Sequence, residues 1–166
     1  NMRLKLWVWL ILPIVLLSAC ARTSPFVDET GTPITDPQLV PEPTKAILCI
    51  YRPFRFGSGL ASPHVTIDGE SVVLLHNAGY TRIFLSPGKH SVATAFSGQW
   101  VKGRLNKIDL EVEPGQMYYL QILAETRIKY LIFVDDTDFP LALLPEETAR
   151  QELRDLKYLK PFDRGK

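Results

Sequence analysis

The spacing of apolar residues changes several times along this chain, and each change marks a different kind of element. From Leu6 to Leu17 they run almost without interruption. About a dozen such residues fall short of the roughly 20 needed to cross a bilayer core. Between residues 21 and 44 the apolar pattern lapses, and Pro25, Pro33, Pro37, Pro41 and Pro43 stand among Thr, Ser, Asp, Glu and Gly. Proline withholds backbone donors and the polar residues offer no core, so this stretch is expected to be a solvated tether. An edge strand around Phe26-Val27 or Leu39-Val40 is the local alternative.

From Lys45 the pattern becomes a series of short strands with turn punctuation. Lys45–Tyr51 is apolar on both faces, as a central strand would be. His64–Ile67 and Ser71–His76 flank Asp68-Gly69, a dipeptide that favours a two-residue hairpin. Asn77-Ala78-Gly79 leads into Thr81, Ile83 and Leu85, alternating with Tyr80, Arg82 and Phe84. After Pro87-Gly88, residues His90, Val92, Thr94 and Phe96 share one face of Lys89–Ser97. Ile108, Leu110 and Val112 alternate with Asp109 and Glu111, Pro114-Gly115 turns the chain, and Met117–Ala124 and Lys129–Val134 complete the series. About seven or eight closely spaced strands without crossover helices predict a mostly β domain, an antiparallel sandwich or open barrel.

Residues 145–160 switch to helical spacing. Ala149, Leu153, Leu156 and Leu159 make one apolar stripe, Pro145 opens it, Glu146 and Glu147 suit its N-terminal end, and Lys157 and Lys160 suit its C-terminal end before Pro161. Glu146 and Arg150 form an i,i+4 pair. The stripe is expected to pack on the sandwich, with partner binding as the competing role. The organisation is then a leader over 1–19, a tether over 20–44, a β domain over 45–144 and a docked helix over 145–160.

The first apolar run carries a second message. Arg3 and Lys5 precede it and Leu17-Ser18-Ala19-Cys20 closes it. A positive start, an apolar middle and small residues at the end resemble an export signal, and the closing tetrapeptide is similar to the bacterial lipobox. The resemblance implies that Leu17, Ser18 and Ala19 are read by the lipoprotein signal peptidase. It implies further that Cys20 becomes the mature N-terminus, carrying a thioether-linked diacylglycerol and an N-acyl chain such as palmitate. An ordinary signal peptide or a short membrane helix is the alternative. On the lipobox reading the lipid is the membrane anchor, and no other cofactor is expected. The location implied is the bacterial cell envelope. Ala21 after the cysteine, where aspartate would favour inner-membrane retention, points to the periplasmic face of the outer membrane.

Charge and cysteine count narrow the partners. The chain has 19 basic and 18 acidic residues, or 17 and 18 once Arg3 and Lys5 are set aside. This near-neutral balance offers no basic footprint for nucleic acid. With Cys20 lipidated, Cys49 is left alone inside an apolar run, where a buried and unreactive thiol is expected.

Five motifs then occur in order: Tyr51-Arg52-Pro53, Ile67-Asp68-Gly69, Gly79-Tyr80, Leu85-Ser86-Pro87-Gly88-Lys89-His90 and Val112-Glu113-Pro114-Gly115-Gln116. They resemble an uncharacterised family of small bacterial lipoprotein domains, known only as a domain of unknown function. Their cadence is similar, more loosely, to the PEGA-type β-sandwich. The likeness covers about residues 45–124. It rests on turn chemistry, so it implies a fold and transfers no catalytic residue.

Little in the sequence has the spacing of a catalytic site. His64, His76 and His90 match no metal motif, although strands would be able to gather them. Asp135, Asp136 and Asp138 lack the glycine and distal glutamate of a calcium loop. No activated nucleophile is visible. The stretch with unusual chemistry is Tyr51, Arg52, Phe54, Arg55 and Phe56, where arginines interleave with aromatics in a pattern suited to stacking and bidentate hydrogen bonding. The competing expectation is that Phe54 and Phe56 fold inward while the arginines stay solvated. The reading that results is a non-enzymatic envelope lipoprotein whose tethered domain binds an envelope protein or cell-wall component. A small-ligand or glycan binder using loop 51–56 and Trp100 is the alternative, and a metal-dependent envelope hydrolase a weaker one.

Overall fold

The computed structural model describes residues 40, 42–56, 61–95, 102–103, 105–129 and 133–163. The lipobox-like segment, most of the tether, Phe96 and Trp100 lie outside them. Val40, from one of the two possible edge strands, is described and is exposed.

The described chain is mostly β. Its strands are β1 (Ala46–Arg52), β2 (His64–Ile67), β3 (Glu70–Leu74), β4 (Gly79–Leu85), β5 (Gly88–Ala95), β6 (Lys102–Gly103), β7 (Asn106–Val112), β8 (Met117–Ile122), β9 (Glu125–Lys129), β10 (Phe133–Asp138), β11 (Leu141–Leu144) and β12 (Lys157–Tyr158), and helix α1 (Glu146–Leu153) lies between the last two. One sheet has the order β11-β8-β1-β4-β12, a second the order β3-β2-β5-β7, and a small third the order β6-β10-β9. The two larger sheets face each other across one core. Leu48, Ile50, Ile83, Leu85, Leu120 and Ile122 come from the first, and Val65, Ile67, Val72, Val92, Leu110 and Val112 from the second. This is a sandwich.

β1 is central and buried at every residue. Strand side chains alternate, so a strand apolar on both faces must be covered on both. Leu48 and Ile50 meet the sandwich core, while Cys49 and Tyr51 pack with Tyr119 and Ala149 in a second cluster beneath α1. Cys49 is thus buried, as its apolar setting predicts. The hairpin turn is also where the sequence puts it. Asp68 and Gly69 take φ values of 54° and 85°, the left-handed pair that a two-residue turn between twisted strands requires.

Three expectations need correction. The five-stranded sheet is mixed rather than wholly antiparallel, because β1 runs parallel to β8 and β12 parallel to β4. Between β1 and β8 the chain passes through β2 and β3 of the second sheet, β4 of the first, and then β5 and β7 of the second, so strands rather than a helix connect the parallel pair. The run Lys129–Val134 is not one strand: Lys129 ends β9, and Phe133 in β10 pairs opposite it. The helix does not reach residue 160, and Pro145 is its N-cap rather than its first residue. It stops at Leu153 because the edge of β4 offers the next residues better partners. Lys157 N donates to Ala78 O at 2.9 Å and Leu159 N to Tyr80 O at 2.7 Å.

The apolar stripe is accordingly shared between two places. Ala149, Leu153 and Leu156 cover the outer face of the five-stranded sheet, whereas Leu159 enters the main core. Further on, Phe162 N donates to Val72 O at 2.8 Å, so the C-terminal segment straps the edge of one sheet to the other.

Candidate functional site

The aromatic and basic stretch lies where β1 ends, and the structure divides it in two. Tyr51 and Arg52 still belong to the strand and are fully buried. Tyr51 Oη donates to Glu152 Oε2 at 2.9 Å, joining the sheet to α1. Burial first, and then the hydrogen bond to Glu152, raise the phenol pKa well above its ordinary value.

Arg52 follows Leu48 and Ile50 on the inner face. Its Nη1 donates to Ala61 O at 2.5 Å and to Leu75 O at 3.3 Å, and its guanidinium lies 5.2 Å from the centroid of the Phe139 ring. Burial pulls its pKa down to about 10. It therefore closes one end of the core and is not offered to a ligand.

Pro53 breaks the ladder, and the three residues after it turn outward. Phe54 is 64% exposed, Phe56 is 94% exposed, and Arg55 is exposed between them. The expected inward packing of the rings is thus reversed: an arginine is buried and the phenylalanines face water. Asn77 holds this tip from below. Its Oδ1 accepts from Arg55 N and its Nδ2 donates to Arg55 O, both at 3.0 Å.

Beside the clasp, Ser62 Oγ lies 2.9 Å from His76 Nδ1. Desolvation, with a smaller contribution from the Arg52 charge, lowers the His76 pKa and favours the neutral ring. The signal for this pair was present in the hairpin: the bulge between Val65 and Thr66 sets His64 opposite Leu74, and extending that register brings 62 opposite 76. The contact fixes the segment that carries Ala61 O, one of the acceptors of Arg52.

The remaining histidines are elsewhere. His64 is exposed on β2. The His90 ring reaches Asp68 Oδ2 at 2.6 Å through Nδ1 and Ser86 O at 2.7 Å through Nε2, while Asp68 Oδ1 accepts from Ser91 N at 2.8 Å. Both ring nitrogens face acceptors, so the ring donates to both only when it carries two protons. Among the described residues no group of three or more His, Cys, Asp or Glu side chains is placed to hold a metal ion.

The motif residues therefore have structural tasks. Arg52 plugs the core, Asp68 and His90 lock one turn to the next, Gly79 runs under Leu159, and Gly115 N donates to Lys45 O to brace the start of β1. The model of a family described as protein of unknown function, DUF2846, matches residues 42–135. The chain belongs to the DUF2846 family. No curated protein and no solved structure matches it. The folded unit of this DUF2846 protein extends past the matched region, since β11 pairs with β8, α1 covers the sheet and β12 pairs with β4.

Proposed function

We propose that this DUF2846 protein is an envelope lipoprotein whose domain is a non-enzymatic binding module, with Phe54, Arg55 and Phe56 as its contact. The supporting observation is that the two phenylalanines are turned outward on a tip clasped by Asn77. Large exposed rings held in place, rather than scattered, are characteristic of interaction surfaces.

The direction of β1 supports the arrangement. The tether precedes Ala46 and the tip follows Arg52, so attachment and contact lie at opposite ends of a strand about 20 Å long. A lipid on Cys20 would hold one end near its membrane, on the periplasmic face of the outer membrane in this reading, and present the other end to an envelope protein or cell-wall component. A glycan is the second reading, favoured by the flat faces of Phe54 and Phe56 beside a guanidinium. The hydrolase reading required three imidazoles together, and no such group occurs among the described residues.

Three experiments test this proposal. Cys20→Ser is expected to abolish acyl-label incorporation and globomycin-sensitive processing, and normal labelling of the variant would overturn the lipoprotein reading. A photocrosslinker at position 56 should give a discrete envelope adduct that one at the exposed Glu113 does not, and Phe54→Ser should abolish it. Sedimentation with purified peptidoglycan, wild type against Phe54→Ser/Phe56→Ser, separates a glycan from a protein partner. Equal adducts from both crosslinker positions would reject the tip as the contact.

A further inference from the structure

A cleft of about 700 Å³ opens against the outer face of β4, at the end of the sheet where the chain enters β1. Ala46 pairs with Leu85, so Lys45 lies beside Ser86 on one wall, and the segment following β12 forms the other. Alternation along β4 places Arg82 and Phe84 on its outer face. Lys45, Arg82 and Lys160 line the cleft, and Asp163 is the one carboxylate among its lining residues. Lys45 also pairs with Glu42 at 3.2 Å, on a partly exposed ammonium that has further donors.

Two of the cations are seated on rings. Lys45 Nζ is 5.4 Å from the centroid of Phe84, and Arg82 Cζ is 5.5 Å from that of Tyr80. Tyr80 in turn meets Tyr158 edge to face at 5.7 Å. A cation lying over an aromatic face is positioned by it while its polar edge still donates hydrogen bonds. Phe162, 46% exposed, adds apolar surface at the cleft margin.

We propose that this cleft binds a phosphate-type oxyanion carried on an apolar body. Three cations against Asp163 and the Lys45-paired Glu42 leave an excess of positive charge that favours an anion, and an arginine fork with two ammonium groups suits a tetrahedral head. The rings of Phe84, Tyr158 and Phe162 would be superfluous for a bare ion and supply the surface for the attached group. The volume lies in the range of small-ligand sites. A phospholipid headgroup region and a soluble organic phosphate share this chemistry. The cleft is at the opposite end of β1 from the Phe54–Phe56 tip, so either site is able to fail without the other.

The test titrates the full chain in nonionic detergent with dihexanoyl phosphatidylglycerol and, separately, with phenyl phosphate. Saturable binding is expected, weakened at least tenfold in Arg82→Gln/Lys160→Gln and about threefold in Lys160→Gln, with Phe54→Ser/Phe56→Ser unaffected. Tighter binding of the amphiphile identifies a lipid source and equal binding a soluble phosphate. Each supports the oxyanion site. Absence of saturable binding for both probes overturns it, as does an unchanged affinity in the folded double variant. If the double variant does not fold, Lys160→Gln at this exposed position decides, and an unchanged affinity there rejects the site.

Discussion

Gly79 runs directly beneath Leu159: a methyl group added to its α-carbon would stand 2.6 Å from Leu159 Cδ1 and 2.9 Å from His76 O. The leucine tip has some freedom to move, but the carbonyl is backbone and does not. Gly79→Ala should therefore cost about 1–3 kcal/mol, the scale of overpacking in a filled core. A urea melt checks this through a lower midpoint at unchanged slope. Wild-type stability would show that the strap is not seated on Gly79.

Arg52→Met keeps much of the side-chain volume but leaves Ala61 O and Leu75 O without their guanidinium donor. Orphaned buried acceptors cost about 1–3 kcal/mol each, and a loss of about 2–4 kcal/mol is expected. Arg52→Lys should recover part of it, since an ammonium donates but lacks the planar fork. A neutral outcome for Arg52→Met would mean that the guanidinium is dispensable to the fold.

His76 makes stability depend on pH in a definite direction. Its folded pKa lies below the ordinary histidine value because of burial and then the Arg52 charge. As pH falls through about 6.5, the unfolded chain takes up a proton that the folded ring resists, so stability decreases. His76→Gln removes this component. The gap between the two proteins should thus move in favour of the variant between pH 7.5 and 5, and a parallel pH profile would contradict the assignment.

Asp68 and His90 should be coupled. The carboxylate is half-exposed, which screens the pair, so a double-mutant cycle with Asp68→Asn and His90→Gln is expected to give about 0.5–1 kcal/mol. Asparagine retains an acceptor for Ser91 N and tolerates the positive φ of the turn. Strict additivity would mean that the two turns are held independently.

Helix α1 should prove integral to the domain. Leu153 and Leu156 are half-buried against the cluster of Cys49, Tyr51 and Tyr119, and Glu152 accepts from both Tyr51 Oη and Gln121 Nε2. Leu153→Ala/Leu156→Ala should cost about 2–4 kcal/mol together, below the value for fully enclosed leucines. An unchanged melt would return the helix to the role of a partner-binding arm.

The parts of the fold legible in the sequence are those in which one local pattern had one physical solution. An unbroken apolar run had to be a strand covered on both faces, and Asp68-Gly69 had to turn. Where two solutions competed, the pattern misled. Leu156 and Leu159 continue a helical spacing, yet the open edge of β4 captures the backbone there. Lys129–Val134 has no turn residue to announce that Lys129 and Phe133 pair across a hairpin. At the candidate site, a Tyr-Arg-Pro-Phe-Arg-Phe run invites reading as one loop, but period-two counting from Leu48 and Ile50 places Arg52 inside. The exposure of Phe54 and Phe56 had no local signal, because it depends on Asn77 reaching across from the turn before β4.

The strap has a consequence for the timing of maturation. Leu159 fills the core over Gly79, and the closing bond to Val72 is made by Phe162. A nascent chain shorter than this has its central sheets translated but their shared edge unsealed, and contacts of such long sequence separation form late. The domain therefore stays unfinished while the preceding strands are made and locks only once residues 157–162 have been delivered. In the lipoprotein proposed above, that interval would be the one during which a chain to be threaded through a membrane has to remain slack.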